Sequence, residues 1–311
     1  MLKQAGELDP LNDLLKATVN RYTLFAKSIE SGKPTGSSYY YPGLLAYQRK
    51  NRRIILMDTD EGSVCIYRWQ VKDGKPRLDL YLAPNPMNTA VLHRCLERAN
   101  DFNADISARI LRIDEKDVEA VTGAGYRVHK RRQQYLFTPN YYADLSGSNL
   151  RTIRRNVANI DQMKNFEVRQ YQQDDAEACT TLLKRWTHEH RKKQQTSGGY
   201  GYASRVIKLV GKLPEHVLTG QVVLKDGELV GYSFGGRIHS DLACYYDVKC
   251  DSQIRGLAYF LRRSFLLHMK EYPLVNDGSD GGRAGLQQIK QSFRPVAMHQ
   301  EYQGHQKTKE L

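Results

Sequence analysis

Long apolar runs are the first thing missing from these 311 residues. The longest, such as Ile54-Ile55-Leu56-Met57, fall far short of the roughly 20 residues that a membrane-spanning helix needs. Residues 1–7 carry no apolar core of signal-peptide length. Cysteine is scarce as well: five residues, an odd number, with no C-x-x-C pair. That excludes a disulfide framework and a thiolate zinc site, and points to a reducing, cytoplasmic setting. No Walker A, H-E-x-x-H or zinc-finger spacing occurs, so the usual signatures of P-loop enzymes, zincins and sequence-specific DNA readers are absent. His188-x-His190 has no third ligand nearby in sequence and reads as a polar helix end, so no metal is expected. Acid is short of base, 34 residues against 47, which leaves a net charge of +13. A surplus of that size favours a polyanionic partner.

What is present organises into two similar halves. A chain of this length favours two domains over one. Asp9-Pro10 reads as the start of a helix in which Leu11, Leu14, Leu15, Val19, Tyr22 and Phe25 recur at helical spacing until Ser31-Gly32-Lys33-Pro34. Past a loop containing Tyr39-Tyr40-Tyr41, strands are expected over 53–58, 63–71 and 77–82. Asp60-Glu61-Gly62 and Lys72-Asp73-Gly74 supply the hairpin turns between them. A helix over 89–102, a strand over 107–113, a helix over 115–122 and a strand over 126–137 complete this half. In the second half a strand (167–171) and a helix (174–188) precede strands over 219–225, 228–238 and 241–248. A long helix over 254–271, a strand over 273–275, a helix over 286–293 and a strand over 296–302 follow.

A meander of antiparallel strands followed by helix, strand, helix, strand is a mixed α/β arrangement and not a doubly wound dinucleotide fold. It fits two tandem copies of the acyl-CoA N-acyltransferase (GNAT) fold, in which the fourth strand splays from the fifth and the donor enters the cleft. The expected division is an N-terminal domain over 1–145 without a donor site, a basic linker helix over 146–165, and a C-terminal catalytic domain over 166–311. The first half is denied the donor because Pro84 and Pro86 remove backbone donors at the corresponding turn.

Three groups of residues carry candidate chemistry. Gln253-Ile254-Arg255-Gly256-Leu257-Ala258 has the Q-x-x-G-x-A form of a pyrophosphate-cradling turn at a helix N-terminus, with Gln253, Arg255, Gly256 and Ala258 as donor-phosphate residues. Alternatively, Gly256 only permits close packing. Basic residues cluster near the expected boundary. These are Arg127, Lys130, Arg131 and Arg132, then Arg151, Arg154 and Arg155 on one helix face, then Lys184, Arg185, Arg191, Lys192 and Lys193. One such cluster would be an ordinary solvated face, but several around one boundary suit a phosphate backbone. Finally, Asp247 and Asp277 end the fourth and fifth strands of the second half and are expected to converge on an amine, binding it or taking its proton. Lys290 and Arg294 would neutralise charge on the attacked carbonyl. Asp280 reads more readily as a turn or cap residue.

The spacing Leu286-x-x-x-Lys290-x-x-Phe293-x-Pro295, after Asn276-Asp277-Gly278-Ser279-Asp280-Gly281-Gly282, resembles the signature of phosphatidylglycerol lysyltransferases and of the soluble proteins grouped with them. The resemblance spans roughly 36–302. It implies the tandem architecture shared with Fem-type aminoacyltransferases. It also implies transfer of an aminoacyl group from aminoacyl-tRNA to an amine or hydroxyl of a small molecule or lipid head group, with no cofactor beyond the donor. The basic clusters would dock tRNA, DNA is not a partner, and membrane contact is at most peripheral. The membrane-spanning half of the lipid-modifying enzymes is not found here. Two other readings stay open: an acyl-CoA-dependent N-acyltransferase using the Gln253 turn, and a non-catalytic RNA-binding module on a degenerate acyltransferase fold.

Overall fold

The computed structural model describes residues 11, 13–104, 106–192 and 200–306. Its first element is a short strand, β1 (Leu15–Lys16), whose residues pair with Met57 and Leu56. Helix α1 (Tyr22–Gly32) begins only after it, so the single helix expected over 11–31 is corrected. Leu11 and Leu14 are buried in a turn closed by the Leu14 N–H donating to the Leu11 carbonyl (3.0 Å), and extended chain begins only at Leu15. Asp9 and Pro10 lie outside the described residues. The tyrosine triplet is likewise no open loop. Tyr39, Tyr40 and Tyr41 are all buried, and Pro42 in the first turn starts helix α2 (Tyr41–Tyr47).

Strands β2 (Arg53–Asp60), β3 (Ser63–Lys72) and β4 (Lys75–Asn85) form the expected meander. Glu61-Gly62 and Asp73-Gly74 join them with positive φ at both residues (46° and 80°, 51° and 76°). Such two-residue turns match the twist of the flanking strands. Helix α3 (Thr89–Asn103) is capped by the Asn88 side chain, which accepts from the Ala90 and Val91 N–H groups. Strand β5 (Ile110–Ile113), helix α4 (Val118–Gly123) and strand β6 (Tyr126–Phe137) follow. The second half carries α5 (Arg151–Asp161), β7 (Phe166–Gln170), α6 (Ala176–Lys192) and α7 (Tyr200–Ile207). Next come β8 (Thr219–Lys225), β9 (Glu228–His239), β10 (Leu242–Cys250) and α8 (Leu257–His268). The last elements are β11 (Leu274–Asn276), α9 (Ala284–Ser292) and β12 (Ala297–Gln306).

Contacts gather the chain into two units, Met1–Gln133 with His299–Leu311, and Gln134–Met298. In unit 1 the strands run β1, β2, β3, β4, β5, β12, with β4 and β5 parallel and β12 antiparallel to β5. In unit 2 they run from the last residues of β6 through β11, β10, β9 and β8 to β7, with β10 and β11 parallel. Each unit therefore takes its closing strand from the other half of the sequence, which an order-of-elements reading does not anticipate. The segment expected to link the halves over 146–165 lies inside unit 2, where Ile153, Val157 and Ile160 of α5 are buried. One apolar core fills unit 1 between α3, α4 and the sheet. In unit 2 the main core joins α5, α8 and Phe293 to the sheet. Among the described residues no helix is long and apolar enough to cross a membrane.

Unit 1 also buries carboxylates. Asp114 accepts from the Thr35 and Gly36 N–H groups at 2.7 and 2.9 Å. Beside it, burial first and the Asp114 charge second push the Asp117 carboxyl up to about 7. A carboxyl raised in the folded state stabilises below its ordinary value and loses that contribution as pH climbs through the raised one. Wild-type stability relative to Asp117→Asn should therefore fall between about pH 4 and pH 7, by on the order of 3 kcal/mol. Urea unfolding of both proteins across that range measures it, and a pH-independent difference would refute the assignment.

Candidate functional site

Strands β10 and β11 pair over only three residues each, Leu242 with Leu274 to Cys244 with Asn276. Beyond that point β10 runs on to Cys250, bulging at Tyr246, while the other chain turns away. The turn is built by Gly278, Gly281 and Gly282, with φ of 62°, 63° and 74°. Asn276 anchors its start. The side-chain amide donates to Gln134 Oε1 at 2.7 Å, and its oxygen accepts the Gly278 N–H at 2.7 Å. The β6 end closes the other side through Asp277 N to Tyr135 O (3.0 Å) and Tyr135 N to Gly278 O (3.2 Å).

Lys290 reaches into this turn from the last turns of α9 and is only 2% exposed. Its ammonium donates to the carbonyls of Asp277, Gly278 and Ser279, the latter two at 3.1 Å, and lies 3.4 Å from Asp277 Oδ1. Burial, then the Arg262 charge, pushes the lysine below its ordinary value. Three carbonyls and a carboxylate oppose that shift, and only the charged form has enough protons for all three carbonyls. The Asp277 carboxylate is buried too, ion-paired with Arg262. The expectation that Lys290 faces a substrate carbonyl is corrected: its donors are consumed by the turn. Arg294 is exposed, just past α9, in left-handed backbone (φ 51°).

Arg262 is the residue that sequence reasoning missed. It is 3% exposed on α8, with its guanidinium 4.9 Å from the Tyr245 ring centre and 5.8 Å from that of Phe293. A signal existed, because an arginine sits among Leu257, Leu261, Phe265 and Leu266 on the buried face of that helix. Asp280 is half-buried and serves the turn as expected, accepting the Gly282 N–H at 2.7 Å and the Tyr135 hydroxyl at 2.6 Å. Burial pushes its carboxyl up, but those two hydrogen bonds together with the charges of Lys290 and Arg283 outweigh it and hold it below the ordinary range.

Asp247 does not join this group. Neighbouring Tyr232 and Ser233 face opposite sides of β9. The Ser233 hydroxyl meets that of Tyr245 at 2.9 Å on the α8 side, whereas the Tyr232 hydroxyl donates to Asp247 at 3.3 Å on the other side. There Asp247 is ion-paired with Lys249, whose ammonium lies 5.0 Å from the Trp186 ring centre on α6. The two carboxylates expected to converge are thus on opposite faces, each with its own cation.

The Gln253–Ala258 turn is also not the open cradle expected. Gly256 has φ 94°, and a Cβ there would collide with the Asn156 carbonyl of α5. The N–H groups of Gln253, Ile254 and Leu257 are already bonded within the turn, to Asp251 Oδ1, Asp251 O and Ile254 O. Arg255 is exposed, and Ala258 lies in the first turn of α8. Close packing explains the glycine.

Of the basic residues, Arg151, Arg154 and Arg155 form the exposed face of α5, and Arg154 also donates to the Leu145 and Gly147 carbonyls at 2.6 and 3.1 Å. Arg127, Lys130 and Arg132 are exposed on β6 in unit 1, whereas Arg131 is tied to Gln303 at 3.1 Å. Arg191 and Lys192 fall in the last turn of α6 with side chains outside the description, and Lys193 lies outside the described residues altogether. No group of three or more His, Cys, Asp or Glu among the described residues gathers as metal ligands would.

Comparison with known proteins agrees with this fold. A conserved protein of unknown function from Bacteroides thetaiotaomicron shares 17% identity and superposes with a TM-score of 0.78, over 94% of this chain and 99% of that one. L-PGS from Bacillus licheniformis shares 14% identity with a TM-score of 0.67, over 96% and 94%. The C-terminal domain of a putative lysylphosphatidylglycerol synthetase from Agrobacterium fabrum shares 14% with a TM-score of 0.65, over 92% and 93%. No curated protein matches the chain. The family described as phosphatidylglycerol lysyltransferase, C-terminal, matches residues 37–303, and the chain belongs to that family.

Proposed function

We propose that this chain is a cytoplasmic transferase that moves an aminoacyl group from aminoacyl-tRNA to an amine or hydroxyl of a small molecule or a lipid head group. The observation that carries the reading is the glycine turn at the point where β10 and β11 diverge, immobilised from beneath by Lys290 and Asp277. Asp277, Arg262 and Lys290 are positioning residues in this scheme. They fix the half-exposed backbone of Ser279–Asp280 and the N-terminus of α9, which supply N–H groups and a positive dipole end to the ester carbonyl. Asp280, half-buried and held ionised, binds the ammonium of the incoming amine or of the aminoacyl group. Asp247 with Lys249 lines the other face of the diverging strand and contacts the donor from there. Arg294 and the exposed arginines of α5, with Arg127, Lys130 and Arg132 of unit 1, take phosphates.

An acyl-CoA donor is disfavoured because the turn that would cradle its pyrophosphate is filled by α5 and by its own hydrogen bonds. The purified chain should therefore consume charged tRNA, and not acetyl-CoA, when candidate amines are supplied. Consumption of acetyl-CoA alone would overturn the reading, and RNA binding without consumption of either donor would leave a binding module. Arg154→Glu with Arg155→Glu should weaken tRNA binding and lower the slope of log affinity against log salt by roughly 2. An unchanged slope would remove α5 from the interface.

The buried ion pair makes a separate prediction. Asp277→Asn leaves Arg262 charged and underpaired, and should cost about 3 kcal/mol of stability together with at least a hundredfold in transfer rate. Adding Arg262→Met should restore much of the stability but none of the transfer. Recovery of both in the double variant would show that the pair serves packing only.

A further inference from the structure

Six guanidiniums gather on one face of the unit 1 sheet, and five of them share two carboxylates. Asp79 of β4, fully buried, holds Arg68 at 2.6 Å, Arg77 at 3.0 Å and Arg109 at 2.9 Å. Glu301 of β12 holds Arg112 at 3.2 Å and Arg131 at 3.6 Å. The sixth, Arg53, turns to Tyr47, donating to its carbonyl at 2.8 Å with its guanidinium 3.5 Å from the ring centre. Two tyrosine rings join the groups: Tyr47 and Tyr81 lie 4.9 Å apart, and Arg112 sits 5.6 Å from the Tyr81 centre.

Two observations mark a surplus of positive charge on this face. The Arg68 Nε–H is buried and makes no hydrogen bond among the described residues, and the buried Arg131 Nε–H makes none either, reaching the Glu301 carboxylate only at 3.6 Å. Buried guanidinium donors are rarely left so. The Tyr47 phenol reports the local potential: burial pushes it up, but the hydrogen bond from Arg68 and the charges of Arg68, Arg53 and Arg112 outweigh burial and bring it below its ordinary value. Burial, with Arg112 and Arg132 nearby, pushes Arg131 down as well. Left alone, such a surplus destabilises the folded unit through self-repulsion. A ligand with negative charge and several acceptor oxygens relieves it, and the planar forks of arginine suit phosphate.

We propose that this face of unit 1 is a phosphate-binding site, built by Arg53, Arg68, Arg112 and Arg131 around Tyr47 and Tyr81. Its phosphate belongs either to an RNA end or to a free phosphorylated small molecule. The site stands on unit 1 alone and does not depend on the transfer reading.

Calorimetric titration of the full chain at low salt tests it, with inorganic pyrophosphate in one arm and the uncharged trinucleotide CCA in the other. At least one should bind, and Arg112→Gln with Arg131→Gln should weaken it at least tenfold. Much tighter binding of the trinucleotide assigns the site to RNA, and equal binding assigns it to a free phosphorylated molecule. Arg98→Gln, whose arginine pairs elsewhere with Asp13 and Asp58, should bind as wild type. Should the double variant fail to fold, Arg53→Gln provides the same readout. No heat with either probe up to about 1 mM, or unchanged affinity in the variants, overturns the proposal.

Discussion

One buried ammonium organises the glycine turn of unit 2. Lys290 is almost entirely removed from water, and an unpaired ammonium in that position would be prohibitively costly. Its stability rests on the carbonyls of Asp277, Gly278 and Ser279 and on the Asp277 carboxylate, all facing inward. The dependence runs both ways. Three consecutive carbonyls turned into a protein interior need a donor, and a glycine-rich turn is conformationally loose without one. Ammonium and turn therefore specify each other. Arg262 completes the arrangement by pairing the second oxygen of Asp277 under the Tyr245 and Phe293 rings.

That constraint has a topological companion. The turn exists because β10 and β11 separate after three paired positions, and its far side is closed by Tyr135 near the end of β6. That strand belongs to the first half of the sequence, while β12 from the second half pairs with β5. Neither unit contains its full sheet without the other half of the chain. In unit 1 the position after β5 is held by Asp114 collecting the Thr35 and Gly36 N–H groups, an anion gathering donors. In unit 2 a cation gathers acceptors. The turns that follow these two strands thus carry opposite electrostatics.

Much of this was legible in the residues. The Glu61-Gly62, Asp73-Gly74 and Asp226-Gly227 pairs set the hairpins, and the strand–turn–helix–strand order around Asp277 was clear from glycine placement and apolar spacing. The Leu286–Pro295 spacing pointed to the family that the comparison then showed. What escaped was whatever depends on partners distant in sequence. Leu11 to Val19 kept a helical period, yet the β2 edge captured Leu15 and Lys16. Lys290 was recognisable as special, but a sequence does not say whether a lysine faces a substrate or its own backbone. Arg262 was hidden because a single charge on an apolar helix face reads as an exception until its partner is known. The convergence expected of Asp247 and Asp277 failed for a local reason: strand alternation and a bulge send them to opposite faces.

Whether the turn is held by that one ammonium can be measured without knowing the substrate. Hydrogen–deuterium exchange of residues 276–283 should be compared between the wild-type chain and Lys290→Met, a substitution of similar volume without the charge. If Lys290 fixes the turn, exchange at Asp277 and Gly278 rises by about a hundredfold or more, while the amides of β8 and β9 keep their protection. Unchanged protection across 276–283 in a folded variant would contradict the account at its centre.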